Sequence, residues 1–281
     1  MTIQTALLQG TQLLEDGEIS APRLTAEVLL SFALNCDRSY LYAHPEVSLS
    51  DIAWLHYGRY LHERLKGKPT QYITKRQEFF GREFRVTPDV LIPRPETEHL
   101  VEAAVSGIRP EHTVLDVGCG SGAIAISIVL ETGAAVYGSD VSMAALQVAR
   151  ENAARLGGQV HWLASDLMSA FAHRSIDVLV SNPPYVPRTD VSNLQREVRD
   201  WEPHLALFAG LTGLEIYERL IMQARSVLKR GGWLLLELGF NSLEPVQSML
   251  DGEWRDIEVR ADLAGLPRVI SARLRNCVEG H

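Results

Sequence analysis

The sequence is poor in cysteine and has no long hydrophobic run. Its three cysteines, Cys36, Cys119 and Cys277, form neither a Cys-x-x-Cys pair nor a zinc-ligand spacing. The longest largely apolar run, Ala123 to Leu130, is far too short to span a bilayer. The amino terminus lacks a basic segment followed by an apolar stretch, so no signal peptide is expected. These absences predict a cytoplasmic chain with no metal site and no membrane span.

Basic residues are outnumbered by acidic ones, 27 to 35. The formal net charge is −8, which argues against a large nucleic-acid-binding surface. Residues 59–94 depart from this average, because nine basic and four acidic side chains give this segment +5 and leave −13 for the remainder. Such a segment is typical of a solvated face. The alternative is a docking surface for a macromolecular partner.

Amphipathic helices are predicted in the first 68 residues. Apolar side chains recur there at helical spacing in three stripes, with Pro22 in the first turn of the second helix and Ser50 as N-cap of the third. Such helices bury their stripes against one another, so a small helical bundle is expected at 1–68. Residues 69–94 are predicted to be a linker, which contains a hairpin over Phe79–Phe84 with Gly81 at its turn.

From Thr113 onward, apolar strands alternate with amphipathic helices. The predicted strands are 113–117, 135–139, 159–163, 176–181 and 232–238, with two closing strands near 255–260 and 267–274. The predicted helices are 122–131, 142–155, 213–229 and 242–250, and residues 92–97 lead into an earlier helix that continues to about Ser106. This alternation predicts an α/β fold with a mostly parallel sheet. Ligands of such sheets bind beyond the carboxyl ends of the strands.

A glycine-rich loop, residues 116–122, follows the strand at 113–117. Glycine lets the backbone take positive φ and approach a ligand closely, and Gly118, Gly120 and Ala123 match a dinucleotide-binding pattern. Asp140 ends the next strand, where a carboxylate can accept both ribose hydroxyls of a nucleoside; it can also cap the following helix, and the two roles are compatible. These features predict an adenosine-containing cofactor. Nicotinamide adenine dinucleotide remains open, as does a tight turn that binds nothing.

The tetrapeptide Asn182-Pro183-Pro184-Tyr185 follows the strand at 176–181. Two consecutive prolines cannot continue a central strand, because neither donates a ladder hydrogen bond, and both restrict φ. A stiff turn can hold the Asn182 carboxamide and the Pro183 carbonyl as two acceptors for one NH₂ group, as methylation of an amide or exocyclic amine requires. Tyr185 offers a flat face to a planar substrate. Alternatively, Asn182 only caps its own turn.

These motifs resemble the HemK/PrmC family, bacterial methyltransferases that modify the glutamine of the Gly-Gly-Gln motif in peptide chain release factors. The similar segments are 76–80, 91–98, 116–122, 165–166, 181–185, 202–203, 206–207 and 262–265. The resemblance covers nearly the whole chain. It implies a class I, Rossmann-like, seven-stranded methyltransferase domain at 95–281, with S-adenosyl-L-methionine as cofactor and a release factor as protein substrate. The helical domain at 1–68 is then expected to recognise that substrate.

The resemblance also implies roles for individual residues. The methionine portion of the cofactor would lie against Gly118, Cys119, Gly120, Ser121 and Gly122. The ribose would bind Asp140, and the adenine would lie near Leu167, where other members often carry an aromatic residue. Asn182, Pro183, Pro184 and Tyr185 would clamp the substrate glutamine. Asn182, Pro183 and Tyr185 would be catalytic, and Asn182 would also border the cofactor.

Direct transfer to nitrogen needs no covalent enzyme intermediate, so no nucleophile and no general base are expected; nothing in the sequence would activate Cys119. Two other substrates for methylation remain possible. A sister family that methylates a ribosomal-protein glutamine shares the tetrapeptide, and so do adenine-N6 DNA methyltransferases. Residues 92–97 resemble the release-factor branch more, and the sequence has no room for a DNA-recognition segment. A third class is a nicotinamide-dependent oxidoreductase, or a non-catalytic nucleotide-binding module, in which the tetrapeptide is only a turn. We expect a monomer that needs neither nucleic acid nor membrane.

Overall fold

The structure is a computed structural model that describes residues 1–276 of the 281. Cys277 and the end of the predicted domain at 95–281 lie outside the described residues. The chain separates into two compact units: Met1–Arg76 with Gln195–Trp201, and Gln77–Leu194 with the residues from Glu202 onward. The functional boundaries at 68 and 94 stay predictions.

The first unit is helical, as predicted. Its helices are α1 (Ile3–Asp16), α2 (Pro22–Leu34), α3 (Arg38–Ala43), α4 (Asp51–Leu65) and α5 (Thr70–Thr74). Ser50 caps α4 by accepting a hydrogen bond from the amide of Ala53, and Pro22 lies in the first turn of α2. Their buried apolar side chains form one core. In the same unit, buried Arg64 pairs with Glu197 of the 195–201 segment.

The second unit begins with a hairpin, β1 (Arg76–Phe79) and β2 (Arg82–Arg85), whose turn holds Gly81 at φ 68°. A 3₁₀ turn over Pro95–Thr97 leads into α6 (Glu98–Val105). The chain continues through β3 (Thr113–Val117), α7 (Ala123–Thr132), β4 (Ala135–Asp140), α8 (Met143–Leu156), β5 (Val160–Ala164) and β6 (Ile176–Ser181). It ends with α9 (Arg196–Trp201, part of the first unit), α10 (His204–Leu207), α11 (Glu215–Val227), β7 (Leu228–Glu237), α12 (Leu243–Met249), β8 (Trp254–Ala261) and β9 (Pro267–Leu274).

The sheet confirms the predicted fold class. Its seven strands have the order β5-β4-β3-β6-β7-β9-β8; β3 to β7 are parallel, and β9 is antiparallel to both β7 and β8. The chain builds outward from β3 to β5 and then returns to the other side of β3 to form β6. The strand order therefore reverses beside β3, and open sheets bind their ligands at that point. Through residue 276, the structure contains no helix long and apolar enough to cross a membrane.

The basic excess at residues 59–94 is largely neutralised by ion pairs. The pairs are Arg59–Glu63, Lys68–Glu63, Arg64–Glu197, Arg82–Glu131, Arg85–Glu151 and Arg94–Glu202. Paired cations contribute little attraction for an external anion, because their field is offset by the adjacent carboxylate. This pairing favours a structural use of the segment over an exposed basic docking surface.

Candidate active site

The carboxyl ends of β3, β4 and β6 are tied together by hydrogen bonds. The amides of Gly118 and Cys119, just beyond β3, both donate to the carbonyl of Ser139 in β4, at 2.8 and 2.9 Å. On the other side, the Ser181 hydroxyl at the end of β6 donates to the Val117 carbonyl at 2.7 Å. The glycine loop, Asp140 and the tetrapeptide beginning at Asn182 therefore meet at one edge of the sheet.

The glycine loop is open on its outer side. Gly118, Gly120 and Gly122 all have positive φ, at 73°, 52° and 81°, which favours glycine at each position. A Cβ added at Gly118 or Gly120 would meet no atom within 4 Å, whereas one at Gly122 would lie 2.8 Å from the Trp162 ring. Gly118 and Gly120 thus leave backbone exposed for a ligand, and Gly122 lets the loop pack on β5.

Asn152, on α8, holds the loop from behind and had no predicted role. Its side-chain amide is completely buried; Nδ2 donates to the carbonyls of Ser121 and Arg85, both at 2.9 Å, and Oδ1 accepts from the Arg85 amide at 2.7 Å. One side chain therefore links the glycine loop to strand β2. The sequence signal was faint: an asparagine among the apolar positions of an amphipathic helix.

Asp140 supports the same loop. Its Oδ2 accepts from the Gly120 amide and its Oδ1 from the Ser142 amide, both at 2.9 Å. Ser142 is the N-cap of α8, accepting from the Ala145 amide, so the prediction that Asp140 is the cap is wrong. Burial raises the pKa of Asp140, and the backbone hydrogen bonds oppose that rise. The carboxylate remains partly exposed at the sheet edge, where it can accept ribose hydroxyls.

Replacing Asp140 with alanine should weaken S-adenosylmethionine binding about ten- to hundredfold. The variant removes a charged acceptor, and hydrogen bonds to charged groups are worth about 1.5–3 kcal/mol. Titration calorimetry measures the affinity. Ser142→Ala is the control, because it removes the helix cap, costs about 1 kcal/mol of stability and leaves the carboxylate in place. Unchanged affinity in a folded Asp140→Ala protein would refute the ribose assignment.

Two buried side chains belong to the loop segment itself. Burial raises the pKa of Asp116 to about 8, while its Oδ2 accepts from the Ala125 amide at the start of α7. Burial also raises the pKa of the Cys119 thiol well above its usual value, and the proximity of Asp116 adds to the effect. Cys119 is 6% exposed, so it reaches the site through its backbone. The thiol stays protonated, which agrees with the absence of a nucleophile in the predicted chemistry.

Leu167 lies at the neighbouring strand end in an unusual backbone conformation. Its φ is 51°, and its carbonyl accepts from the Ser139 hydroxyl at 3.4 Å. The side chain is half-buried and packs against the apolar core that contains Leu115, Val117 and Met168. The structure thus brings Leu167 to the edge of the sheet where β4 ends at Asp140. A contact between its side chain and the adenine stays a prediction.

The Asn182 side chain does not merely cap its own turn. Its Nδ2 donates to the Thr97 hydroxyl at 3.1 Å, across 85 residues of sequence. Thr97 is 4% exposed and lies in the 3₁₀ turn before α6. With its NH₂ group used in this way, the carboxamide keeps Oδ1 as a hydrogen-bond acceptor. Thr97 had no predicted role.

Tyr185 completes the tetrapeptide on a tightly packed surface. A Cβ added at Gly239, just beyond β7, would lie 2.5 Å from Cδ2 of the Tyr185 ring. Burial raises the pKa of Tyr185 to about 12, and the nearby Glu237 carboxylate contributes to the rise. The phenol is therefore neutral at physiological pH, so Tyr185 can contribute an aromatic face and a hydroxyl but not a phenolate base.

An ion pair anchors the segment that carries Thr97. Arg94 pairs with Glu202, whose other oxygen accepts from the Ile92 amide at 3.4 Å. Glu202 is 4% exposed, so this contact is largely shielded from water. Residues 91–98 and 202–203, which the sequence analysis grouped only by resemblance, are thus joined in space. The pair fixes the start of the turn that places Thr97 beside Asn182.

The site and the sheet order define a class I, S-adenosylmethionine-dependent methyltransferase. Solved structures share this fold. A methyltransferase from Pyrococcus furiosus has a TM-score of 0.53 at 17% identity, covering 73% of this chain and 94% of that one. The 16S rRNA N2 G1207 methyltransferase of T. thermophilus has a TM-score of 0.53 at 21% identity, covering 71% and 50%.

The particular family follows from sequence. Residues 5–74 match the PrmC N-terminal domain model, and residues 97–199 match the methyltransferase small domain model. The release factor glutamine methyltransferase of Koribacter versatilis is 45% identical over 97% of this chain and 99% of the relative, and that of Moorella thermoacetica is 40% identical over 98% and 99%. The chain belongs to this family, which confirms the predicted resemblance. Its cofactor is S-adenosylmethionine.

Proposed function

We propose that this enzyme methylates the side-chain amide nitrogen of the glutamine in the Gly-Gly-Gln motif of a bacterial release factor, as a cytoplasmic monomer that needs no nucleic acid. The observation that carries the proposal is the orientation of Asn182. Its NH₂ group is engaged by Thr97, which leaves the oxygen as an acceptor beside the glycine loop. The names of the curated relatives support a release factor, and not a ribosomal protein or DNA, as the acceptor.

S-adenosylmethionine supplies the methyl group on a sulfonium, which is already an excellent leaving group. The protein's part is to position the acceptor nitrogen. The Asn182 oxygen and the Pro183 carbonyl accept one hydrogen bond each from the substrate NH₂ group. These bonds aim the nitrogen, return electron density to it and stabilise the positive charge that develops on it. The proton can leave to water after transfer, so no general base is required.

The same two acceptors select glutamine over glutamate. A substrate carboxylate would present oxygens to the Asn182 oxygen and the Pro183 carbonyl, and each acceptor would lose its donor. Leaving buried polar groups unpaired costs about 1–3 kcal/mol for each group. Tyr185 adds a flat surface against which the planar amide can pack.

A methyl-transfer assay with labelled S-adenosylmethionine tests the proposed acceptor. Purified enzyme is given release factor, ribosomes or DNA in parallel, and label is expected in release factor. The matched control is a release factor whose Gly-Gly-Gln glutamine is changed to alanine, which should take up no label. Label in a ribosomal protein or in DNA, with none in release factor, would overturn the proposal.

We also propose that the first unit recognises the release factor. None of the residues predicted to bind cofactor lies in it, and α4 exposes two large apolar side chains on one face, Ile52 at 68% and Leu55 at 71%. Residues three apart on a helix are neighbours, so they form one apolar contact.

Changing Ile52 and Leu55 together to serine should raise KM for release factor about tenfold. Losing about 1.4 kcal/mol of apolar contact corresponds to that factor. Steady-state kinetics measure KM, and calorimetry should find unchanged cofactor affinity. Met222→Ser, at a 62% exposed position of α11, is the control and should leave KM unchanged. A double variant with the parent's KM contradicts a contact through this face of α4.

A further inference from the structure

A buried carboxylate lies behind the Asn182–Thr97 hydrogen bond. Glu237 is the last residue of β7 and is 3% exposed. The side chains of Thr97 and Asn182 lie near enough to act on its carboxylate as hydrogen-bond donors that lower its pKa, and its Oε2 has no hydrogen-bond partner among the described residues. Because it is buried and near Thr97 and Asn182, it is placed to act on these side chains rather than on a substrate.

The end of β7 is fixed from the other side by Tyr217 of α11. The Tyr217 hydroxyl donates to the Glu237 carbonyl at 2.7 Å and accepts from the Gly239 amide at 3.1 Å. Tyr217 is completely buried. The backbone that carries Glu237 therefore has a defined place, and its side chain is held against Thr97.

When Glu237 is ionised, the hydrogen atoms of Glu237, Thr97 and Asn182 have only one consistent arrangement. A carboxylate only accepts hydrogen bonds, so Thr97 must donate its single hydroxyl proton to it. The Thr97 oxygen can then only accept from Asn182, which must present its NH₂ group. If Glu237 were a donor, Thr97 could instead donate to the Asn182 oxygen, and the carboxamide could rotate by half a turn.

We propose that Glu237, acting on Asn182 directly and through Thr97, is a positioning residue that sets the direction in which the Asn182 carboxamide points. In the ionised arrangement, the Asn182 oxygen faces the acceptor nitrogen; in the rotated arrangement, an NH₂ group would meet another NH₂ group. This inference rests on the proposed acceptor role of the Asn182 oxygen.

The charges around Glu237 make the arrangement dependent on pH. Burial raises the pKa of Glu237 to about 7; hydrogen bonds from Thr97 and Asn182 and the charge of Arg268 on β9 lower it, and Glu96 in the 3₁₀ turn raises it. The neighbouring phenols of Tyr185 and Tyr217 have raised pKa values and stay neutral. Glu237 is therefore ionised above about pH 7 and becomes a donor as pH falls through that value.

Glu237→Gln in the full-length enzyme tests the inference. Glutamine keeps the shape but can donate, so kcat for release factor at pH 8 should fall about tenfold, the loss expected for one misdirected hydrogen bond. KM, cofactor affinity and melting temperature should stay near the parent's. The parent's kcat should fall as pH is lowered through about 7, while that of the variant stays low and flat.

Thr97 variants provide the matched comparison. Thr97→Ser keeps the hydroxyl and should retain the parent's kcat, whereas Thr97→Val should lose about tenfold. The double variant Glu237→Gln with Thr97→Val should be no slower than either single variant, because both act on one chain of hydrogen bonds. Fully additive losses, or the parent's kcat in a folded Glu237→Gln protein, would overturn the inference.

An NMR measurement separates this inference from the proposed substrate. The side-chain amide resonances of Asn182, identified by their absence in Asn182→Asp, should shift with pH through about 7 in the parent and not in Glu237→Gln. This result does not depend on which molecule accepts the methyl group. If the Asn182 resonances of the parent do not shift with pH, the proposed role of Glu237 is wrong. If release factor takes up no label, only the proposed function is wrong.

Discussion

Asn182→Ala is expected to lower kcat for release factor about 10²–10³-fold while cofactor affinity changes little. Removing one preorganised hydrogen bond at a reacting centre has an effect of this size, because the interaction is made most strongly in the transition state. Single-turnover methylation at saturating release factor and S-adenosylmethionine measures the chemical step directly. Melting temperature and calorimetry show whether the variant is folded and binds cofactor.

Asn182→Asp separates shape from hydrogen-bond character. It keeps an acceptor oxygen but replaces the donor to Thr97 with a second oxygen and adds a negative charge close to Glu237. The predicted place of Asn182 beside the cofactor would bring the new charge near the sulfonium, so we expect cofactor affinity to hold or increase. We expect kcat between those of Asn182→Ala and the parent. An Asn182→Ala protein that is folded, binds cofactor and turns over within about threefold of the parent would remove Asn182 from the chemistry.

The α/β alternation could be predicted because each buried strand is long and flanked by periodic helices. The predicted ranges of β3, β6 and β9 coincide with the structure. The helices α3, α5, α9 and α10 were not predicted, because four to six residues give too few turns for a periodic signal. The strand predicted at 232–238 begins at Leu228, since Gly231 and Gly232 continue β7 instead of forming a turn before it.

The site could be predicted where the constraint is local and not where it comes from distant contacts. Glycines with positive φ and consecutive prolines limit the backbone by themselves, so the glycine loop and the tetrapeptide were visible in the sequence. Thr97 meets Asn182 across 85 residues, and Asn152 meets Arg85 across 67. Such pairings depend on the folded sheet. Glu237 lies within the strand predicted at 232–238, and only its burial and its neighbours give it a role.

Gly239 is a second site residue that the sequence does not reveal. It is buried, has no positive φ and follows β7 by two residues, so its backbone conformation does not explain the glycine. The explanation is steric. An added Cβ would lie 2.5 Å from Cδ2, 2.7 Å from Cγ and 3.1 Å from Cβ of Tyr185. All three atoms belong to the base of the side chain, which cannot move without moving the ring or the backbone of the tetrapeptide.

Gly239→Ala should therefore reduce kcat/KM for release factor about a hundredfold or more. Relieving the clash requires the Tyr185 ring to move by up to about 1 Å, and a displacement of that size at a positioning group costs about 10²-fold. Cofactor affinity should change much less, because the glycine loop and Asp140 belong to other strand ends. The melting temperature should fall only modestly, since overpacking by one methyl group costs about 1–3 kcal/mol.

Gly107→Ala is the matched control: a Cβ there meets no atom within 4 Å, and both rate and stability should stay near the parent's. A Gly239→Ala enzyme with the parent's kcat/KM would show that the position of the Tyr185 ring does not matter for transfer, and Tyr185 would then have to be removed from the catalytic group.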